Sequence, residues 1–280
     1  MGGTLTKTEI SMFIQNLREE EKSKATIEKY SRDVYKLYEW LGEDKMLTKE
    51  RMVQYKEHLV KIYKPTSVNS ILAGINSFLE FSDLTGLKAK RLKIQRKIFC
   101  DKDAELTKEE YYRLIETAEL KKHHRTALMI QTLCATGIRV SELKYIDVHA
   151  ITNGRAEINC KGKIRVILIP NMLAEKLKGY CDENKIGTGM IFVTSSGKPL
   201  DRSNIWTEMK NLCKEAQVNP CKVYPHNLRH LFARTYYGIE KDLNRLSDIL
   251  GHSSIETTRV YTITTSDEQG DKINQLGLVK

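Results

Sequence analysis

Pro225-His226-Asn227-Leu228-Arg229-His230, Leu250-Gly251-His252 and Tyr261 stand close together near the end of a 280-residue chain. Their reading decides the fold. His226 and Arg229, at i and i+3, share one face if the first run is helical. Asp242 to Leu250 reads as the next helix, with Leu243, Leu246, Ile249 and Leu250 at apolar spacing and Gly251 just past its end. His252 then lies where the chain can turn back toward the first pair. Two imidazoles, a guanidinium and a phenol lack the carboxylates and thiols of a metal site. They suit an oxyanion attacked by a phenolic oxygen.

Upstream, Leu133-Cys-Ala-Thr-Gly137-Ile-Arg139-Val-Ser-Glu142-Leu143 ends one helix at a glycine and begins another, presenting Arg139 on the tight connection. Ala156 to Ile169 reads as a β-hairpin with Lys161-Gly162-Lys163 at its tip and Pro170 closing it. In chain order, Arg139, Lys161, His226, Arg229, His252 and Tyr261 resemble the catalytic set of the tyrosine recombinase (phage integrase) family. The resemblance covers most of Glu105 to Tyr261. Its most specific parts are Thr136 to Leu143, His226-Asn-Leu-Arg229-His230, and Leu250-Gly-His252 with Tyr261 at the expected distance.

The resemblance implies attack of Tyr261 on a backbone phosphodiester. The product is a 3′-phosphotyrosyl link and a free 5′ hydroxyl, made without a cofactor, metal or ATP. Arg139 and Arg229 suit the charge gained by the non-bridging oxygens, because a guanidinium is permanently charged and can bond an oxyanion through two N–H groups. His226 and His252 are left to assist the phenol and bond the phosphate, since a phenol of ordinary pKa near 10 needs help at neutral pH. The hairpin lysine would protonate the leaving 5′ oxygen. Family hairpins often read Lys-Gly-x-Lys-x-Arg, whereas Lys161-Gly-Lys163-Ile-Arg165 is one residue shorter. Lys161 is the favoured acid and Lys163 the alternative. Glu142 matches the acidic residue of the motif and is read as an orienting partner of a catalytic cation. His230 is expected to be structural or to face DNA.

The formal net charge of +10 suggests a polyanionic partner, nucleic acid ahead of a membrane surface. Cys100, Cys134, Cys160, Cys181, Cys213 and Cys221 form no CxxC pair and have no zinc-finger spacing, so reduced thiols are expected. No apolar run is long enough for a span, and Met1 to Ile10 is polar. A cytoplasmic, nucleoid-associated place is the expectation.

From Thr8 to about Leu84 apolar stripes predict four helices, with Thr48 as a helix N-cap and Pro65 opening the fourth. Lys22, Lys24, Thr26, Lys29, Lys64, Thr66, Ser67 and Asn69 lie at their polar starts, a composition that seeks phosphates. Gly86 to Lys97 is basic with no acidic residue, and Lys88, Lys90, Arg91 and Lys93 within it are expected to cross a DNA backbone; Lys163 is a further DNA candidate. Thr107 and Glu110 form a predicted capping box opening the second domain. Helices are predicted near 108–120, 123–136, 141–145, 172–184, 203–216 and 225–237, with Ile191-Phe192-Val193 as a short strand.

The expected class is mainly α with a small antiparallel β-sheet in the catalytic domain. By resemblance, residues 1–87 form a four-helix, SAM-like core-binding domain, 88–104 a basic linker and 105–280 the catalytic domain, whose tail is 262–280. Little chain precedes Thr8 for an arm-binding domain, which favours an Xer-like layout. The expected partner is double-stranded DNA, held by a homotetramer on two sites, with a partner recombinase or directionality factor left open. A type IB topoisomerase-like enzyme and an idle DNA-binding regulator remain alternatives. The tail is expected to pack on a neighbouring protomer, given its position after the nucleophile.

Overall fold

The computed structural model describes residues 2–94, 104–160, 163–252, 254–262, 271 and 273–276, with backbone alone at 159, 160 and 163. The chain divides into two compact units, Met1–Arg96 and Lys97–Lys280.

The first unit holds α1 (Lys7–Glu19), α2 (Lys24–Trp40), α3 (Lys49–Ile62) and α4 (Pro65–Phe81). Each starts where the side chains dictate. Thr6 and Glu9 make a capping box on α1, Thr48 accepts from Arg51 N at α3, and Pro65 opens α4 where no helical N–H is needed. The apolar stripes meet in one core around Phe13, Leu37, Leu72, Ile75 and Phe78, with Phe13 edge-on to Phe78 at 5.4 Å. A two-residue sheet, β1 (Gly3–Thr4) with β2 (Met46–Leu47), ties the chain's start to the α2–α3 connection. No alternating pattern that short is visible in sequence.

The basic segment does not start as a free linker. Asn76 on α4 donates to Ala89 O and accepts from Ala89 N, both at 3.0 Å. Asn69 repeats this with Leu92, at 2.9 and 2.7 Å. Two turns of helix advance roughly 10 Å and three extended residues about the same, so the two amides match the strand's repeat. Asn69 is thereby committed to the backbone, not to a phosphate. Lys29 likewise turns inward, onto Asp33 and Ser70 O at 2.7 Å each. Lys88 pairs with Glu80 at 3.0 Å, while Lys90, Arg91 and Lys93 are exposed.

In the second unit, α5 (Lys108–Leu120) and α6 (His124–Thr136) precede a 3-10 helix at Val140–Tyr145. Next come α7 (Val148–Asn153), β3 (Arg155–Cys160), β4 (Lys163–Leu168), α8 (Asn171–Glu183) and α9 (Arg202–Cys213). The unit continues with α10 (Pro225–Glu240), α11 (Leu243–Leu250), α12 (Ile255–Thr258) and a 3-10 turn at Arg259–Thr262. Thr107 and Glu110 cap α5 reciprocally. β3 and β4 pair antiparallel from Arg155↔Leu168 to Cys160↔Lys163, placing Ile158 and Ile167 in a core shared with Leu133, Leu143, Leu177, Met209 and Leu228.

The helix predicted near 141–145 is present as a 3-10 helix, with Glu142 folded back onto Arg139 N. Two local readings differ from expectation. Ile191-Phe192-Val193 is not an extended paired strand: there is one isolated bridge within it, Val193↔Pro199, and one just before it, Asp147↔Met190. The helix α7 was not anticipated, being six residues long and ending at Asn153-Gly154, which reads as a turn.

Candidate active site

α6 ends at Gly137 in the left-handed conformation, φ +61°. A Cβ here would lie 2.3 Å from the Phe232 ring. Glycine therefore serves twice, for the backbone turn and for the approach of α10. Gly137→Ala is expected to cost about 2 kcal/mol or more, since the left-handed backbone alone costs about 1–2. A urea midpoint unchanged from the parent would contradict this.

Beyond the turn stands Arg139, its backbone N–H and Nη1 donating to the two oxygens of Glu142 at 2.7 and 3.0 Å. Glu142 is 4% exposed. Its second guanidinium partner is Arg165 of β4, at 2.6 Å. Arg139 Nη2 reaches Gly251 O at 3.2 Å.

α10 opens with Pro225 at its first position and puts His226 and Arg229 one turn apart. Arg229 is 2% exposed. It donates to Gly137 O and Leu250 O, both at 2.6 Å, and to His252 Nε2 at 2.9 Å, and the nearby Tyr261 favours its charged form. Among the described residues it has no carboxylate partner. Burial, then repulsion from Arg139, lowers its pKa to about 10, so it is still charged at neutral pH. A buried cation satisfied only by carbonyls and an imidazole is poised to receive an anion.

A guanidinium can only donate, so His252 Nε2 is the acceptor. The imidazole proton is then on Nδ1, which donates to the buried Thr258 Oγ1 at 2.8 Å. Gly251 ends α11 in the left-handed region, φ +61°, and aims His252 inward. Tyr261, 3% exposed, packs with Ala233, Leu246 and Leu250. Its ring is nearly parallel to His252 at 6.0 Å and edge-on to His230 at 4.7 Å. His230 is in turn edge-on to His226 at 4.7 Å.

The imidazoles are held neutral. Burial and then the charges of Arg229, Arg139 and Arg165 lower His252 to about 4. Burial and then His226 and Arg229 lower His230 to about 4. His226 is lowered too, by desolvation first and then Arg229, Arg139 and Arg202. Unfolded, these groups would titrate near 6.5. Between about pH 4 and 6.5 the unfolded chain thus binds more protons than the folded one. Stability is expected to rise with pH across that window and flatten above it. Urea midpoints measured from pH 4.5 to 7.5 check this; His230→Gln should reduce the slope, and an unaltered slope would refute the assignment.

Arg139, His226 and Arg229 line a cleft of about 1000 Å³ whose walls add Lys144, Lys198, Arg202 and Trp206. None of those four was singled out from sequence as a binding residue, because isolated surface charges carry no periodic signal. Arg139, Glu142, His226, Arg229, His252 and Tyr261 are all placed in this region. Arg165 and Thr258 join them as residues without an assigned role in the sequence reading. Lys161, and the side chain of Lys163, lie outside the described residues. Of the first unit's candidates, Lys24, Lys64 and Thr66 are exposed, with Lys24 4.0 Å from Glu28.

Fold and similarity together define a DNA-recombining enzyme of the tyrosine class, one that breaks and rejoins strands. The chain belongs to the phage integrase family, whose model matches residues 104–268. It is similar to the tyrosine recombinase XerA of Pyrococcus furiosus, with 30% identity over 285 aligned residues, covering 99% of this chain and 96% of that protein. The tyrosine recombinase XerC of Roseiflexus castenholzii is 28% identical, covering 91% and 88%. A crystal structure of XerA recombinase superposes with a TM-score of 0.54 at 25% identity, over 99% of this chain and 100% of that one. A lambda integrase dimer bound to a core site shares the fold, with a TM-score of 0.72 at 17% identity over 91% and 94%. No helix among the described residues is long and apolar enough to cross a membrane.

Proposed function

We propose that the chain is a site-specific recombinase acting on double-stranded DNA, with Tyr261 as nucleophile. The phenolic oxygen attacks the scissile phosphorus and the bond to the 5′ oxygen breaks. The phenol's proton passes to a neutral imidazole, His226, or His252 once its Nε2 is released from Arg229. The hairpin lysine, Lys161 or else Lys163, protonates the departing 5′ oxygen, a role that typically supplies 10²–10⁴-fold. Arg139 and Arg229 hold the non-bridging oxygens as charge develops, each contributing roughly 3 kcal/mol. One phosphate ester replaces another, so a different 5′ hydroxyl can reverse the step without an outside energy source.

The observation that carries this reading is the buried Arg229, bonded to His252, near Tyr261 and lacking a carboxylate among the described residues. It is paired with an exposed basic cleft into which a backbone phosphate fits. Glu142 orients Arg139. Residues 1–87 serve as a core-binding domain, 88–104 as a basic connection and 105–280 as the catalytic domain. Lys24, Lys64, Thr66, Lys88, Lys90, Arg91, Lys93 and Lys163 are assigned to DNA phosphates, Lys88 by exchanging Glu80 for phosphate. Exchange between two sites calls for two copies on each duplex, a tetramer in the synapse. Solved relatives include XerH bound to its difH substrate before cleavage.

Incubation with a nicked duplex carrying the recombination site tests the proposal. A covalent protein–DNA complex, with the DNA mapped by peptide mass to Tyr261, is expected. Attachment at another residue, or relaxation of supercoiled plasmid with no exchange between paired sites, would overturn it.

A further inference from the structure

The C-terminus of α11 gathers three guanidinium groups. Arg229 Nη2 donates to Leu250 O at 2.6 Å, Arg165 Nη1 donates to the same oxygen, and Arg139 Nη2 reaches Gly251 O at 3.2 Å. The carbonyl end of a helix carries partial negative charge and suits cations. Carbonyls alone do not offset three mutually repelling charges; Glu142 supplies a carboxylate joined to two of them. Its oxygens are divided, one taking Arg139 Nη1 and the other taking both Arg139 N and Arg165 Nη2. The side chains differ in exposure: 43% for Arg139, 13% for Arg165 and 5% for Glu142. Arg139 faces the cleft, while Arg165 lies behind it.

We propose that Arg165 is a positioning residue for the strand-cleavage reaction, bridging Glu142 and the C-terminal carbonyl of α11 so that Arg139 keeps one guanidinium face for the scissile phosphate. This rests on Arg139 being a phosphate-binding cation. A buried carboxylate must be compensated. With Arg165 gone, Glu142 has Arg139 as its remaining guanidinium partner in the network, and that guanidinium is drawn into two-point pairing, away from the cleft. Gly251 supplies independent support. A Cβ there would lie 2.6 Å from Arg165 Cδ and 2.7 Å from its Nη1, so the glycine after α11 leaves the space that Arg165 occupies. Arg165 stands two residues beyond the start of β4, whose first residue belongs to the hairpin tip. The same side chain therefore anchors the hairpin to the helix that delivers His252.

The test is single-turnover formation of the covalent complex on the nicked recombination site, with DNA affinity measured alongside by gel shift. Arg165→Met is expected to cleave ~10²-fold more slowly, the scale of a 1 Å misplacement, while affinity stays within roughly threefold. Arg165→Lys keeps the charge but lacks the fork, and should fall between the two. A scissile methylphosphonate removes one anionic oxygen, so less cationic help is needed. It should restore Arg165→Met in parallel with Arg139→Ala. A 5′-bridging sulfur, which leaves without a proton, should not restore it. Wild-type rates in Arg165→Met, or rescue by the sulfur substrate alone, would overturn the proposal, the latter by assigning Arg165 to the hairpin lysine. Should Arg165→Met fail to fold, Arg165→Lys is read by the same rates and substrates, and parental rates there would overturn the proposal. The parent reading fails by a different result, covalent complex retained in Tyr261→Phe, so the two failures are told apart.

Discussion

Tyr261→Phe is expected to form no covalent complex with DNA while binding the same site with unchanged affinity. Removing a nucleophile from a working set typically costs ~10⁶-fold, below the reach of a trapping assay. The substitution removes one oxygen and leaves the ring, which is what packs with Ala233, Leu246 and Leu250 and against His230 and His252. Stability should change by no more than about 1 kcal/mol, the scale of one hydrogen-bonding hydroxyl. A gel-shift titration and a trapping assay on the same preparation separate chemistry from binding. Retained covalent complex would assign the nucleophile elsewhere; lost DNA binding would mean that Tyr261 supports the fold of the cleft and not the reaction alone.

Arg229→Lys is expected to slow cleavage ~10²–10³-fold, the cost of losing one preorganised oxyanion donor. Charge is preserved, so a purely coulombic role would survive. The planar fork is not preserved, and it is the fork that reaches Gly137 O, Leu250 O and His252 Nε2 together. An ammonium group on a shorter reach cannot satisfy all three. The variant should also lose stability, because at 2% exposure any acceptor left without its donor stays away from water. Cleavage near the parent rate by a folded Arg229→Lys protein would exclude a geometric role for the guanidinium.

These expectations draw on side chains that were legible to different degrees. His226 and Arg229 are one helical turn apart in sequence and in space, so their pairing needed only the 3.6-residue period. Arg139 and Glu142 were legible for the same local reason, three residues apart around a tight turn. The contact between Glu142 and Arg165 spans a sequence gap that no period bridges, and depends on how the β3–β4 hairpin meets the 3-10 helix at Val140–Tyr145. Thr258 was missed because its hydroxyl matters through one bond to His252 Nδ1, which a sequence cannot announce. Asn69 was legible only as a polar position at a helix start and Asn76 was not singled out; their pairing with Leu92 and Ala89 appears once the chain returns along α4.

By itself the sequence determined what can be encoded in neighbours. Apolar periodicity set the helices, capping boxes at Thr6 and Thr107 set where two of them start, and Gly137 and Gly251 set where two others stop. The kinds of group available for the chemistry were also present from the start, together with their order. Tertiary structure decided their states. Burial of His252 and His230 themselves, and then the charge of Arg229 beside them, lowers both imidazoles, and acceptance from Arg229 is what settles the tautomer of His252. Desolvation and the field of distant charges depend on separations through space, and those come into being only when α6, α10, α11 and β4 pack together.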